Sequence, residues 1–214
     1  MRPSYRIYPT LLDGFSFYKR SENENAKQDM LDRINRVERE PTAPMLRGTA
    51  FNEIVDAVAD GKLAVTGPVE VHDIECPAHI VTAYASRFQH AARQVYVEAP
   101  IETAYGPVLL YGYMDETVAD TAFEIKTTQK YEAPKYLHHW QHPTYLYCLK
   151  RGRVDVRRFI YMCTDFRGIY EEHYHYRDED TDRLIGVCNE LIEFVEINRD
   201  LITNQRIFDM PMAA

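Results

Sequence analysis

Residues 111–128, Tyr-Gly-Tyr-Met-Asp-Glu-Thr-Val-Ala-Asp-Thr-Ala-Phe-Glu-Ile-Lys-Thr-Thr, constrain this chain more than any other stretch. They read as a strand ending in Asp115, a polar turn at Asp120-Thr121, and a second strand carrying Glu124 and Lys126. Residues two apart on a strand share a face, so Glu124 and Lys126 point one way while Phe123 and Ile125 turn toward a core. Two carboxylates gathered at one place can hold a hard divalent cation. A lysine beside them can steady a water or a developing phosphoryl charge. That combination suits phosphodiester cleavage. Asp60-Gly61-Lys62 has a similar acid-x-lysine pattern, but it sits on an Asp-Gly turn signal and reads as a solvated helix exit.

The rest of the chain narrows the setting. Its 214 residues contain no Gly/Ser/Pro-rich linker or internal repeat, so a single domain over 1–214 is expected. Within it, 1–44 form an N-terminal helical segment, 45–165 the core, and 166–214 a closing strand and C-terminal helix. A hydrophobic fraction of 45% suits a globular protein, and no apolar run is long enough to cross a bilayer. The opening Met1–Pro9 stretch lacks the apolar region of a signal peptide. Cys76, Cys148, Cys163 and Cys188 are widely spaced, which argues against a zinc ribbon or a disulfide framework and suits a reducing cytoplasm. A net charge of −8 counts mildly against nucleic acid, although 126–158 is locally basic, from Lys126 and Lys130 to Arg157 and Arg158.

Hydrophobic spacing predicts helices over 8–37, broken at 21–25, and over 45–59, 78–92, 133–149 and 179–201. Strands are expected over 93–101, 108–114, 122–127, 154–163 and 169–176. That order gives an α/β (α+β) domain in which a central mixed β-sheet is flanked by helices.

Four pieces in order carry a family resemblance: Arg47-Gly48-Thr49 opening a helix, Gly112-x-x-Asp115 at a strand end, Glu124-Ile125-Lys126-Thr127, and Gln141-x-x-x-Tyr145. Across roughly 45–165 the chain resembles the PD-(D/E)XK nuclease superfamily, particularly its RecB-type and phage-exonuclease branch. The resemblance implies a restriction-endonuclease-like fold and a metal-dependent deoxyribonuclease, an exonuclease in recombination, repair or phage DNA processing. Asp115 and Glu124, with the Ile125 carbonyl, would then ligate Mg²⁺ or Mn²⁺, and Lys126 would orient water and stabilise the transition state. Gln141 and Tyr145 would contact the DNA backbone or brace Lys126, with Lys130 also meeting substrate. The implied partner is DNA, single- or double-stranded and attacked at its ends. A recombination or annealing protein and a homo-oligomer stay open, and no membrane is involved.

The chain departs from the family pattern at Asn52, which stands where the family has a histidine ligand. Its amide oxygen can meet Mg²⁺ but lacks the imidazole that suits Mn²⁺. At about 100° per residue, Asp56 falls on the same side of that helix as Asn52, where it would line the site through a water, while Glu53 falls opposite. Pro143 lies inside the Gln141–Tyr145 spacing, so a helix starting there would leave the two residues on different faces. The N-terminal cysteine and C-terminal trio of iron–sulfur relatives are missing, so no cluster is expected.

His138, His139 and His142 flank Trp140, without the glutamate of an H-E-x-x-H site. His138 or His139 is expected to face substrate, with a plain surface position as the alternative. Tyr131, Tyr136 and Trp140 suit either base stacking or core lining. A catalytically weakened nucleic-acid-binding protein of the same fold is the second reading, supported by Asn52 and the acidic balance. An unrelated α/β domain is the third.

Overall fold

The computed structural model describes residues 5–208 and leaves Met1–Ser4, part of the opening stretch considered above, outside the description. In chain order the elements are β1 (Tyr5–Ile7), α1 (Pro9–Arg20), α2 (Ala26–Asn35), α3 (Ala43–Ala59), β2 (Val69–Val71), β3 (Ile74–Cys76) and α4 (Ala78–Phe88). There follow β4 (Ala92–Thr103), β5 (Gly106–Val118), β6 (Thr121–Thr127), α5 (Gln141–Arg151), β7 (Arg158–Thr164), β8 (Ile169–Tyr174) and α6 (Asp178–Ile197). This is the expected mixed sheet flanked by helices.

The sheet has β6 near its centre, antiparallel to β5 and parallel to β7, with β8 antiparallel beyond. The β4 strand pairs with β5 along one edge, from Thr103↔Gly106 to Ala92↔Thr117. The other edge of β5 changes partner. It pairs with β1 at 108–110 and with β6 only at 116–118. Between Leu110 and Glu116 that edge has no strand partner among the described residues, and this gap positions the candidate site.

Helices cover both faces. On one, α1, α2, α5 and α6 build the larger core with Val108, Leu110, Met114, Ala122, Phe159 and Tyr161. The expected α6 stripe of Leu184, Val187, Cys188, Leu191, Ile192 and Val195 is buried there, each side chain contributing at most about 1.5–3 kcal/mol. On the other face Phe123, Ile125, Ile160 and Met162 pack against Phe51 and Val55 of α3 and Ile80 and Tyr84 of α4. All four cysteines are free and buried. Among the described residues no helix is long and apolar enough to cross a membrane.

Four expectations are corrected. The strand expected to end in Asp115 runs on to Val118, because Glu116–Val118 pair with β6, and Asp115 lies inside β5. The helix expected over 133–149 begins only at Gln141. In the loop before it, the Glu172 carboxylate accepts from the Lys135 and Tyr136 amides and the Tyr131 hydroxyl, giving that backbone a tertiary partner in place of a helical turn. The strand expected from 154 starts at Arg158, because the chain leaves α5 through Gly152 and left-handed Arg153 at φ 55°. The connection before α4 holds the small β2–β3 hairpin, and β1 was not read from the sequence.

Candidate active site

Asp115 lies in the β5 gap, and its carboxylate replaces the missing ladder: Oδ2 accepts the Ile125 amide at 3.1 Å. In an extended strand a residue's N–H and C=O project to the same edge, so the Ile125 carbonyl also faces the Asp115 side. From β4, Gln94 Nε2 makes a long 3.4 Å contact with Oδ1. Gln94 is held at φ 49°, in the left-handed region, between the regular pairs Arg93↔Glu116 and Val95↔Met114. Strain of this sort is about 1–3 kcal/mol and is retained where surrounding structure enforces it. Both neighbours of β5 are thus irregular beside Asp115.

Glu124 and Lys126 share one face of β6, as expected, and their side chains meet at 2.9 Å. Gln141, the first residue of α5, donates to the same Glu124 Oε1. Glu124 Oε2 is buried with no hydrogen-bond partner. Pro143 sits in the first turn of α5, where its missing N–H leaves no bond unmade, so the helix passes through it unbroken. Gln141 and Tyr145 are therefore one turn apart on a continuous helix, and both face the site. The buried Tyr145 hydroxyl donates to the Tyr113 carbonyl at 2.9 Å, within the β5 gap.

The electrostatics are those of two acids that cannot both be charged easily. Burial, and then repulsion from Glu124, raises Asp115 from 3.8 to about 7. Burial works against the Lys126 charge, but the Glu124 and Asp115 carboxylates outweigh it and hold the ammonium protonated above the usual lysine range. Lys126 is thus a cation here and no proton acceptor.

On α3, a Cβ added to Gly48 would lie 3.5 Å from Thr127 Oγ1, so the helix runs close beside the end of β6. Asn52 follows one turn later, and its Oδ1 is buried without a partner. Glu53 is exposed, as the helical geometry predicts. Asp56 is engaged elsewhere: Arg93 Nε lies 2.9 Å from its Oδ1, in ion-pair contact without hydrogen-bond alignment. Arg93 also reaches Asp60 at 2.7 Å and Glu116 at 3.4 Å.

His139 is half-exposed and 3.4 Å from Asp13. Lys130 is exposed and paired with Glu132. His138 precedes the helix, so it makes no one-turn pair with His142. His142 is buried, stacked on Tyr174 at 4.0 Å, and pushed down to about 3 by burial. Tyr136 and Trp140 are core residues.

Sequence reasoning passed over Asp13, Gln94, Arg93 and Glu116. Asp13 of α1 accepts the Trp140 amide at 2.8 Å, fixing the entry to α5. Burial, and then Asp56, raises Glu116 from 4.5 to about 8. A two-residue turn at Ala104-Tyr105 would have placed Gln94 opposite Asp115, whereas nothing local connects Asp13 to Trp140.

Among the described residues no three His, Cys, Asp or Glu side chains gather closely enough to hold a metal unaided. The oxygen set fits a hard cation nevertheless. The Asp115 and Glu124 carboxylates and the Ile125 carbonyl are donors of the kind such a cation takes, and the Asn52 amide oxygen on α3 would be a fourth. Two of these atoms, Glu124 Oε2 and Asn52 Oδ1, are buried orphans, each a burden of about 1–3 kcal/mol until a cation or water meets it. Beside the end of β6 a cleft of about 370 Å³ opens, lined by Arg47, Thr127, Thr128, Gln129 and Arg167.

No known family profile matches the chain, and no curated protein matches its sequence. Solved structures do share its fold. A candidate exonuclease from Eubacterium rectale superposes with a TM-score of 0.56 at 12% identity, over 92% of this chain and 83% of the other. The structure named SSO0001 gives 0.50 at 15% identity, over 90% and 78%. The alkaline exonuclease LHK-Exo from Laribacter hongkongensis gives 0.46 at 15% identity, over 91% and 92%. At these identities the likeness to the first two structures shows a common α/β fold.

Proposed function

We propose that this chain is a Mg²⁺- or Mn²⁺-dependent deoxyribonuclease of the PD-(D/E)XK type, an exonuclease acting on DNA ends in recombination, repair or phage DNA processing. It would be one nuclease domain with 45–165 as its core. The observation that carries this reading is the convergence of Asp115, Glu124 and Lys126 at the β5 gap, with the Glu124 Oε2 oxygen left unpartnered. The fold shared with a structure named as a candidate exonuclease supports it.

A bound divalent cation would supply Lewis-acid polarisation of the scissile phosphate and a more acidic water. Asp115, Glu124, the Ile125 carbonyl and Asn52 would hold it. Lys126, kept protonated by its carboxylate neighbours, orients the attacking water and offsets the charge that builds on the phosphate. Gln141 fixes the Glu124 carboxylate, and Tyr145 fixes the β5 backbone two residues before Asp115. Lys130 and His139, both in the loop before α5, would meet the DNA backbone.

The test is degradation of linear and circular DNA, single- and double-stranded, with Mg²⁺ or Mn²⁺, by the native chain and Lys126→Ala. Metal-dependent loss of linear DNA that disappears in the variant is expected. Attack on circles would change the reading to endonuclease. Absence of cleavage with every metal, with DNA binding retained, would favour a catalytically weakened binder whose activity was lost at Asn52.

A further inference from the structure

Four tyrosines form a connected surface ending next to Asp115. Tyr8 packs on Tyr111 at 5.8 Å between ring centroids, Tyr111 on Tyr96 at 6.4 Å, and Tyr96 on Tyr113 at 5.1 Å. Leu110 and Met114 turn into the main core and Gly112 lies under Tyr145, so Tyr111 and Tyr113 project to the outer face of β5. Tyr113 is 55% exposed and Tyr96 41%. At about 3.4 Å per strand residue, Tyr113 stands about 7 Å along β5 from Asp115.

Arginines border this surface. The Arg6 guanidinium lies 4.9 Å over the Tyr111 ring and that of Arg36 lies 5.4 Å over Tyr8. Arg36 also donates to the Tyr111 hydroxyl at 3.1 Å, and Arg206 lines the same crevice. None of these three has a carboxylate within salt-bridge distance among the described residues. Beyond Tyr8 the surface continues into a groove of about 680 Å³ where Phe17 and Met45 lie beside Arg33 and the acids Asp29, Asp32 and Glu40, the first two paired with Arg39.

We propose that the Tyr8–Tyr111–Tyr96–Tyr113 surface is a stacking platform that leads a single-stranded nucleic acid to Asp115. Exposed aromatic faces stack bases without regard to sequence, and arginines free of acidic partners can meet phosphates. A duplex keeps its bases paired inside, so this surface selects for unpaired strands. Its destination rests on the nuclease reading, but its recognition chemistry does not. Glu98 opposes it locally: it accepts from the Tyr96 hydroxyl at 2.5 Å and is exposed where phosphates would pass.

The test is fluorescence anisotropy of labelled oligothymidylate and of a blunt duplex, with Lys126→Ala as the background so that no cleavage intervenes. Adding Tyr96→Ala and Tyr113→Ala should weaken oligothymidylate binding by about 10- to 100-fold while leaving the duplex little changed. Tyr96→Phe with Tyr113→Phe should retain the affinity, since the ring does the stacking. Glu98→Gln should tighten it. Unchanged oligothymidylate affinity in the alanine variant, or an equal loss for the duplex, overturns the proposal and leaves the tyrosines to a protein partner. If the native chain cleaves duplex ends but binds no oligothymidylate, only the platform falls. If it neither cleaves nor binds any nucleic acid, the nuclease reading falls as well.

Discussion

The Tyr145 ring occupies the space that a side chain on Gly112 would need: a Cβ placed there would lie 2.7 Å from Tyr145 Cε1 and 3.0 Å from its hydroxyl oxygen. The glycine lets α5 press directly on β5 three residues before Asp115, and the Tyr145 hydroxyl holds the Tyr113 carbonyl next to it. Gly112→Ala should therefore destabilise the protein by about 1–3 kcal/mol through overpacking. Combining it with Tyr145→Ala should cost less than the sum of the two single changes, because the clash exists only while both side chains are present. Urea denaturation of the three variants checks this, and simple additivity would contradict it.

Stability without metal should decline between pH 6.5 and 8. Asp115 and Glu116 have folded values raised to about 7 and about 8, so the folded state holds protons that the unfolded chain has already released. Unfolding then releases protons as pH rises, and stability falls. His142 works in the opposite direction, but only below its ordinary value of 6.5, where the unfolded chain gains a proton that the buried ring refuses. Thermal melts in a chelator should show the decline, and Mg²⁺ should reverse it at pH 8. Asp115→Asn should raise the metal-free melting temperature at pH 8 by about 2–4 °C for each kcal/mol of relieved repulsion. A lower melting temperature would show that the Asp115 charge is already compensated.

Removing the brace on Glu124 should weaken metal binding more than folding. Gln141→Leu leaves Glu124 Oε1 with Lys126 alone. Such supporting contacts typically change metal affinity about 10- to 100-fold. Calorimetric titration with Mn²⁺ should record that loss, alongside a circular dichroism spectrum like that of the native chain. An unaltered Mn²⁺ isotherm would place the cation away from Glu124.

Asp13→Ala should act at a distance. It removes the acceptor for the Trp140 amide and the partner of His139, freeing the start of α5. A loss of about 1–2 kcal/mol is expected, as for other helix entries stripped of a cap. The rate of cleavage should fall as well, because Gln141 is the next residue in the chain. Stability lost with cleavage untouched would make Asp13 a packing residue only.

The strand chemistry was legible because a period of two determines which residues share a face: Glu124 and Lys126 together, Phe123 and Ile125 opposite, all from local spacing. The Gln141–Tyr145 pair was legible as a spacing, but its shared face was not. Pro143 reads as a helix disruptor unless the helix is known to begin two residues earlier. That start is set by Asp13 and by Glu172, which lie far away in sequence. The three-residue β1 carries too short a pattern to register, and it exists because β5 offers it an edge. Nothing in the local sequence marks Glu116, and only the Arg93 and Asp56 contacts give its burial a reason.

The strand carrying Glu124 and Lys126 is locked between neighbours of opposite direction, β5 antiparallel and β7 parallel. A slip by one residue would send both side chains into the Phe123 and Ile125 core and would have to break two unlike ladders at once. The reacting groups therefore behave as a fixed anvil. Any adaptation of such a chain to a new substrate has to be written into the peripheral surfaces, the groove between α1 and α2 and the outer faces of β4 and β5, which can vary in sequence without disturbing that strand.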